Sequence, residues 1–302
     1  MKRIFAALLA LMLLAVPAAL AEQPQEDPVF YEGPVLAFSA PRDAEIEWSE
    51  MTADSYSQAL CAAGSGELIV SAAFASTAAR DAYIGELLGD VAAMAVPVTE
   101  YDALEGHPAQ RAVVTAAFPG ENGPILSRAL QADVDYVINL VTIDAGRGYL
   151  FVAALPEDAY YSSEEQGGLE DVVEAQIESL DIFDPDAKLM LEPETELSAG
   201  ACQLAGEIIQ DAEADPFLIY ALDTVTNVRL TTVVMDGEGR PAPDFELGAW
   251  SELSFGQAIR VCGSLPDVLP GFAIVYTDAS GIEETLYIAM SGLDGSLMFI
   301  EG

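Results

Sequence analysis

His107 is the one histidine in 302 residues, so any mechanism built on an imidazole base must use it. It stands in Glu105-Gly106-His107-Pro108, a turn-like setting, and Cys61 is the thiol it would have to activate. A base needs its nucleophile within hydrogen-bond reach, and no local motif brings Cys61 there, so an exposed turn histidine is the plainer expectation. Metal motifs fare no better: the chain has no HExxH, no CxxC and no complete EF-hand loop. Asp236-Gly237-Glu238-Gly239-Arg240-Pro241 opens like a Ca²⁺ loop but has Arg and Pro where an oxygen ligand and a glycine are required, which makes it a turn. The same segment spells GxGxxA at Gly237, Gly239 and Ala242, yet Pro241 and Pro243 keep the next residues from offering a helix N-terminus to a phosphate. GxSxG and SxxK nucleophile signatures are also missing. No catalytic or cofactor-binding residue is assigned on these grounds.

Carboxylates are plentiful, with 50 Asp+Glu against 11 Lys+Arg and a formal net charge of −39. A glycosidase needs only two of them roughly 5–10 Å apart, a condition that chance alone can meet in so acidic a chain. Trp48 and Trp250 stand far apart in sequence and read as core or rim residues rather than a sugar-stacking platform. Glu157-Asp158, Glu164-Glu165 and the Asp211 to Asp215 run read as solvated loops, with a shallow Ca²⁺ site built from several loops as the alternative. The field repels phosphate backbones, which argues against nucleic acid, and it attracts cationic peptides and basic proteins. It also keeps a secreted chain soluble and monomeric.

Three cysteines are too few for a disulfide framework. Cys202 and Cys262 both fall in the second half and can pair in an oxidising compartment, closing a loop worth up to ~4 kcal/mol on the chain-entropy account. Cys61 would then remain as a small core residue.

The elements that must position these groups begin with a basic n-region (Lys2, Arg3), an apolar run from Ile4 to Val16 and the small-x-small site Ala19-Leu20-Ala21, the pattern of a secretory signal peptide over 1–21. Residue 22 is Glu rather than Cys, which gives no support to a lipid anchor, and no later stretch reaches ~20 uninterrupted apolar residues. The chain is expected to be secreted or extracytoplasmic, with a mobile acidic leader over 22–34. Strands are expected at Val35 to Phe38, Ile46 to Trp48, Glu67 to Ala75, Ala109 to Phe118 and Asp135 to Ile143, and Ser49 to Cys61 is ambiguous between helix and strand. Ser76 or Thr77 can cap a helix with Tyr83, Ile84, Leu87, Leu88 and Val91 on its apolar face. Gly148 to Leu155 reads as a buried strand closing a hairpin with Asp135 to Ile143, and Leu169, Val172, Val173, Ile177 and Leu180 form the stripe of a helix. Asp184-Pro185-Asp186 ends it.

The run Tyr101 to Arg111 with its Gly106-His107-Pro108-Ala109 turn, the antiparallel strands after it, the Tyr149 to Pro156 strand and the closing helix ending Ser179-Leu180-Asp181-Ile182-Phe183 together resemble the PsbP-like α/β/α sandwich over roughly residues 35 to 183. The resemblance implies a non-enzymatic scaffold used in binding or assembly.

The second half reads as all-β. Strands are expected at Phe217 to Leu222, Asn227 to Met235, Ala258 to Cys262, Phe272 to Tyr276, Glu284 to Met290 and Leu297 to Ile300, and a short helix at Leu204, Ile208 and Ile209. The fold expected from the whole is α+β: a three- to five-stranded antiparallel sheet with flanking helices over 35–184, a linker over 185–196 and a small β-sandwich over 197–302. The function expected is a non-catalytic binding or scaffold protein for a protein, peptide or envelope component. The alternatives are a polysaccharide hydrolase using paired carboxylates and a Ca²⁺-stabilised cell-surface protein.

Overall fold

The computed structural model describes residues 28–32, 35–104, 106–118, 123–161, 169–182, 186–194, 202–266, 269–293 and 295–301. The expected signal peptide over 1–21 and the Glu164-Glu165 pair lie outside the described residues. Two short strands come first, β1 (Val29–Glu32) and β2 (Leu36–Ala40), followed by β3 (Ala44–Met51), β4 (Ser55–Ala62) and β5 (Glu67–Phe74). Helix α1 (Thr77–Leu88) leads to β6 (Val96–Leu104), β7 (His107–Ala117), β8 (Asp135–Ala145) and β9 (Arg147–Pro156). Helices α2 (Glu157–Tyr160) and α3 (Leu169–Glu178) and the two-residue β10 (Asp181–Ile182) close the first half.

Seven of these strands form one antiparallel sheet in the order β3-β4-β5-β9-β8-β7-β6. Its two central strands, β5 and β9, are buried almost end to end, because each face carries its own cover. On one face Leu68, Val70, Phe74, Ile138, Leu140 and Val152 pack with Tyr83 and Leu87 of α1. Ser76 fixes where α1 begins, since its side chain accepts from the Ala79 N–H at 3.2 Å. On the other face Leu60, Ile69, Val141, Phe151 and Leu155 pack with Val173 and Ile177 of α3 and with the small sheet β1-β2-β10. Each fully buried Leu, Ile or Phe here contributes about 1.5–3 kcal/mol.

The second half is a pair of sheets. Strands β11 (Leu189–Pro193), β12 (Gln203–Ile209), β13 (Pro216–Ala221) and β16 (Gln257–Cys262) run in the order β11-β13-β16-β12. Facing them are β14 (Val225–Met235), β15 (Pro241–Leu253), β17 (Phe272–Thr277), β18 (Glu283–Met290) and β19 (Leu297–Glu301), in the order β15-β14-β17-β18-β19. Leu189, Ile219, Ile259 and Val261 from the first sheet and Val228, Leu230, Ile274 and Ile288 from the second make one core. Trp250 ties the sheets at their edges: its Nε1 donates to the Ala205 carbonyl at 3.1 Å. The ring fits because Gly206 and Gly248 lack side chains, and a Cβ on Gly206 would sit 2.7 Å from Nε1.

The halves do not hang on a linker. Tyr56 of β4, Met190 of β11, Tyr220 of β13 and Phe255 belong to the same buried cluster as the α3 face of the large sheet. Gly256, at φ +80°, lies so close to the Thr52 carbonyl that a Cβ would be 1.8 Å from it, so only glycine satisfies both the backbone and the contact. The buried Arg147 reaches across, its Nη2 donating to the Ala187 carbonyl at 2.6 Å.

Several expectations are corrected. The sheet has seven strands rather than three to five. Part of the leader is β1, paired to β2, and Leu189–Pro193 in the expected linker is β11, paired to β13. Residues 203–209, expected as a short helix, form β12, an edge strand in which Leu204 and Ile209 stay exposed. The longest strand, β15, was not expected, since Pro241, Pro243 and Asp244 break the alternation that marks a half-buried strand; it too lies at an edge, where proline costs no ladder bond. Pro97 likewise sits in edge strand β6. The Cys202–Cys262 bridge is not formed, and all three cysteines are free. Parallel pairing aligns Gln203 with Gln257 and Ile209 with Cys262, placing the two sulfurs at opposite ends of the ladder, roughly 20 Å apart at ~3.3 Å per residue, where a disulfide needs Cα atoms within about 7 Å.

Candidate functional site: a polar cleft over Tyr83

A cleft of about 590 Å³ opens where the β3–β4 turn, α1 and the 3-10 turn Ile125–Arg128 meet. Register builds one wall: Glu50 pairs with Ser57 across β3 and β4, on the sheet face that α1 covers. The turn between those strands is fixed by Thr52, whose Oγ1 donates to Asp54 Oδ1 at 2.9 Å and accepts from the Ser55 N–H at 3.1 Å. Tyr83 and Glu86, three residues apart on α1, project from one helix face and supply the opposite wall. Ala79, Ala82 and Ile125 add an apolar strip.

Tyr83 forms the floor. Its ring packs on Phe74 with centroids 5.2 Å apart, and the residue is only 9 % exposed. Its hydroxyl has no hydrogen-bond partner. Burial raises the phenol pKa, as do the Glu50 and Glu86 charges; Ser57, lying beside the phenol without completing a hydrogen bond, and Arg128 pull it back. The phenol therefore meets groups that line the cleft. A buried hydroxyl without a partner costs on the order of 1–3 kcal/mol, so it is a feature that binding can repair.

Arg128 is the second unusual group. Arg80, Arg111, Arg229, Arg240, Arg260 and Lys188 each have a carboxylate within ion-pair distance. Arg128, exposed at the cleft, has none among the described residues. Charges of both signs thus face one polar opening, with Glu50, Asp54 and Glu86 against Arg128.

A second polar cluster is buried between the halves. Glu192 of β11 accepts from the Tyr56 hydroxyl at Oε1, 3.4 Å away, and its Oε2 is buried without a partner. Desolvation pushes the Glu192 pKa up to about 7, partly offset by the hydroxyls of Tyr220 and Tyr56. Tyr31 donates to Gln58 Oε1 at 2.5 Å, and burial with the nearby Glu192 charge raises its phenol to about 12. Cys202 lies here as well, its thiol pKa raised by burial. A second glutamate, Glu67 at the start of β5, is 1 % exposed and also pushed up to about 7 by desolvation, with the Gln176 amide of α3 beside it offsetting part of the rise.

The groups singled out by residue type fall elsewhere. His107 opens β7 and is half-buried rather than in an exposed turn. Cys61 lies on β4, and three strands separate β4 from β7, so the pair is at least ~19 Å apart and no dyad is assembled. Asp236 closes the turn over Gly237 to Arg240, with Oδ1 accepting from the N–H groups of Glu238 and Arg240. Asp211 accepts from Ser264 Oγ and from the Glu213 N–H. Among the described residues no cluster of three or more His, Cys, Asp or Glu is placed to hold a metal ion, and no helix is long and apolar enough to cross a membrane. Tyr83 was legible as a residue of the apolar face of α1, and its ring is buried there; Arg128 carried no signal, because its significance is the lack of a carboxylate partner in three dimensions.

No family model and no curated protein matches the chain. Among solved structures, a crystal structure from Bacteroides thetaiotaomicron at 1.50 Å resolution aligns with a TM-score of 0.30 and 17% identity, covering 57% of this chain and 55% of that one. The chain thus spans about half the length of that protein, and a likeness this distant defines neither fold nor function.

Proposed function

We propose that the chain is an extracytoplasmic, non-catalytic binding protein, with a PsbP-like sandwich as its first half and a β-sandwich as its second, and that the cleft over Tyr83 is its binding site. The observation that carries this reading is the buried, partnerless Tyr83 hydroxyl at the floor of a cleft whose rim bears charges of both signs. Binding chemistry is favoured over hydrolysis by where the acids sit. A general acid for glycoside cleavage has a raised pKa and faces a second carboxylate across the substrate. The two carboxyls pushed up to about 7, the buried Glu67 and the half-buried Glu192, lie outside the cleft. The shared core of the two halves fits a scaffold role, since it supports the Thr52 end of the cleft through Gly256.

The test is thermal unfolding of the chain against short peptides of differing charge and neutral oligosaccharides, each at millimolar concentration. A ligand of the native state raises the midpoint by mass action. The reading expects at least one class to raise it in the native sequence and not in Glu86→Gln/Arg128→Gln. A shift of equal size in both proteins would put the binding site elsewhere.

A further inference from the structure

We infer that the cleft takes a short peptide carrying one free carboxylate and two amines, the class of a lysine-bearing dipeptide; this rests on the cleft being the binding site proposed above. Arg128 is a cation without a carboxylate partner among the described residues, and its planar fork matches a carboxylate in two-point contact. Glu50, Asp54 and Glu86 outnumber it and leave the lining net negative, so a ligand that offsets this charge while pairing Arg128 carries more amines than carboxylates, as the +1 of a lysine dipeptide does in part. A neutral sugar would leave Arg128 unpaired, and an acidic peptide would face the three carboxylates.

Size and lining point the same way. About 590 Å³ exceeds the needs of one small amino acid and falls in the common range of ~300–1,000 Å³ for ligand sites. Ala79, Ala82 and Ile125 give an apolar strip for the methylene stem of a lysine, whose ammonium can then reach a carboxylate. The Tyr83 hydroxyl, 9 % exposed as a residue and without a partner, lies buried beneath the cleft with Ser57 beside it, and a peptide amide reaching that floor would supply the hydrogen bond it lacks. The net charge of −39 draws cationic peptides toward the molecule before any contact forms.

Titration calorimetry at low salt with the dipeptide Lys-Ala, its C-terminal amide and Glu-Ala tests the assignment. Lys-Ala should bind about tenfold more tightly than its amide, and Arg128→Gln should erase that difference while leaving the amide's affinity unchanged or higher. Glu86→Gln should weaken both lysine peptides, and Tyr83→Phe should weaken Lys-Ala about threefold or more with the unfolding midpoint retained. If the amide or a neutral sugar binds as well as Lys-Ala, and binding still fails in Glu86→Gln, the ligand class is overturned while the cleft stands as a binding site. If Arg128→Gln and Glu86→Gln both bind Lys-Ala like the native protein, the assignment to this cleft is overturned. If none of the three peptides binds, the lysine-peptide inference is overturned, and a sugar-dependent midpoint shift decides separately whether the cleft binds anything.

Discussion

Replacing Glu192 by Gln should flatten the dependence of stability on pH and stabilise the protein above neutrality. The folded-state pKa of Glu192 rises from 4.5 to about 7 because the carboxylate is desolvated between the halves, with Oε2 unpartnered. A carboxyl that holds its proton more tightly when folded makes unfolding harder at low pH: its favourable contribution is complete below about pH 4.5 and is lost as pH rises to about 7. The gap converts to about 3 kcal/mol at one pKa unit per ~1.4 kcal/mol, or roughly 6 °C in midpoint for a chain of this size. The groups facing Glu192 are Tyr56, Tyr220, Tyr31 and Cys202, all neutral across this window, so Gln preserves the surroundings while removing the charge. Urea unfolding of both proteins at pH 4.5 and pH 8 should give near-equal stability at the lower pH and a stability gain in Glu192→Gln at the higher. The general repulsion among so many carboxylates also favours mild acid, but it acts on both proteins alike. Parallel pH profiles for the two would refute the claim that desolvation makes Glu192 hold its proton more tightly in the fold than in the unfolded chain.

Further outcomes follow from individual contacts. Gly256→Ala should destabilise by about 3 kcal/mol or more, because its Cβ would meet the Thr52 carbonyl and the residue cannot relax out of φ +80°; calorimetric midpoints check this. Gly206→Ala should displace Trp250 and shift its fluorescence to longer wavelength, whereas an unchanged spectrum would mean the indole does not pack on that backbone. Tyr83→Phe should be neutral or stabilising by about 1 kcal/mol in the absence of ligand, since it removes a buried hydroxyl without a partner. Three thiols per chain should titrate in denaturant without reductant, and a count of one would restore the Cys202–Cys262 bridge.

Much of the chain was readable where one physical signal dominated. The strands β5, β8 and β9 are apolar on both faces because both faces are covered, and α1 and α3 carry a stripe because each buries one side. What sequence did not disclose was edge structure: β12 and β15 are stabilised by ladder bonds and by the Trp250 contact while exposing Leu204, Ile209 and Phe245, so neither shows clean alternation. The domain break placed at Asp184 to Glu196 followed from proline and charge, but Tyr56, Tyr220 and Phe255 come from distant segments and bury one another only in the fold. The cleft was hidden for the same reason. Glu50, Tyr83 and Arg128 share no motif, and each is ordinary alone.

Hydrogen exchange read by mass spectrometry, with and without saturating Lys-Ala, locates the bound ligand on the fold. Binding in the cleft predicts slowed exchange in the β3–β4 turn around Ser55, along Ala79 to Glu86 of α1 and at Ile125 to Arg128, with the second half unchanged. Protection confined to the β-sandwich, or to the edges of β12 and β15, would contradict it.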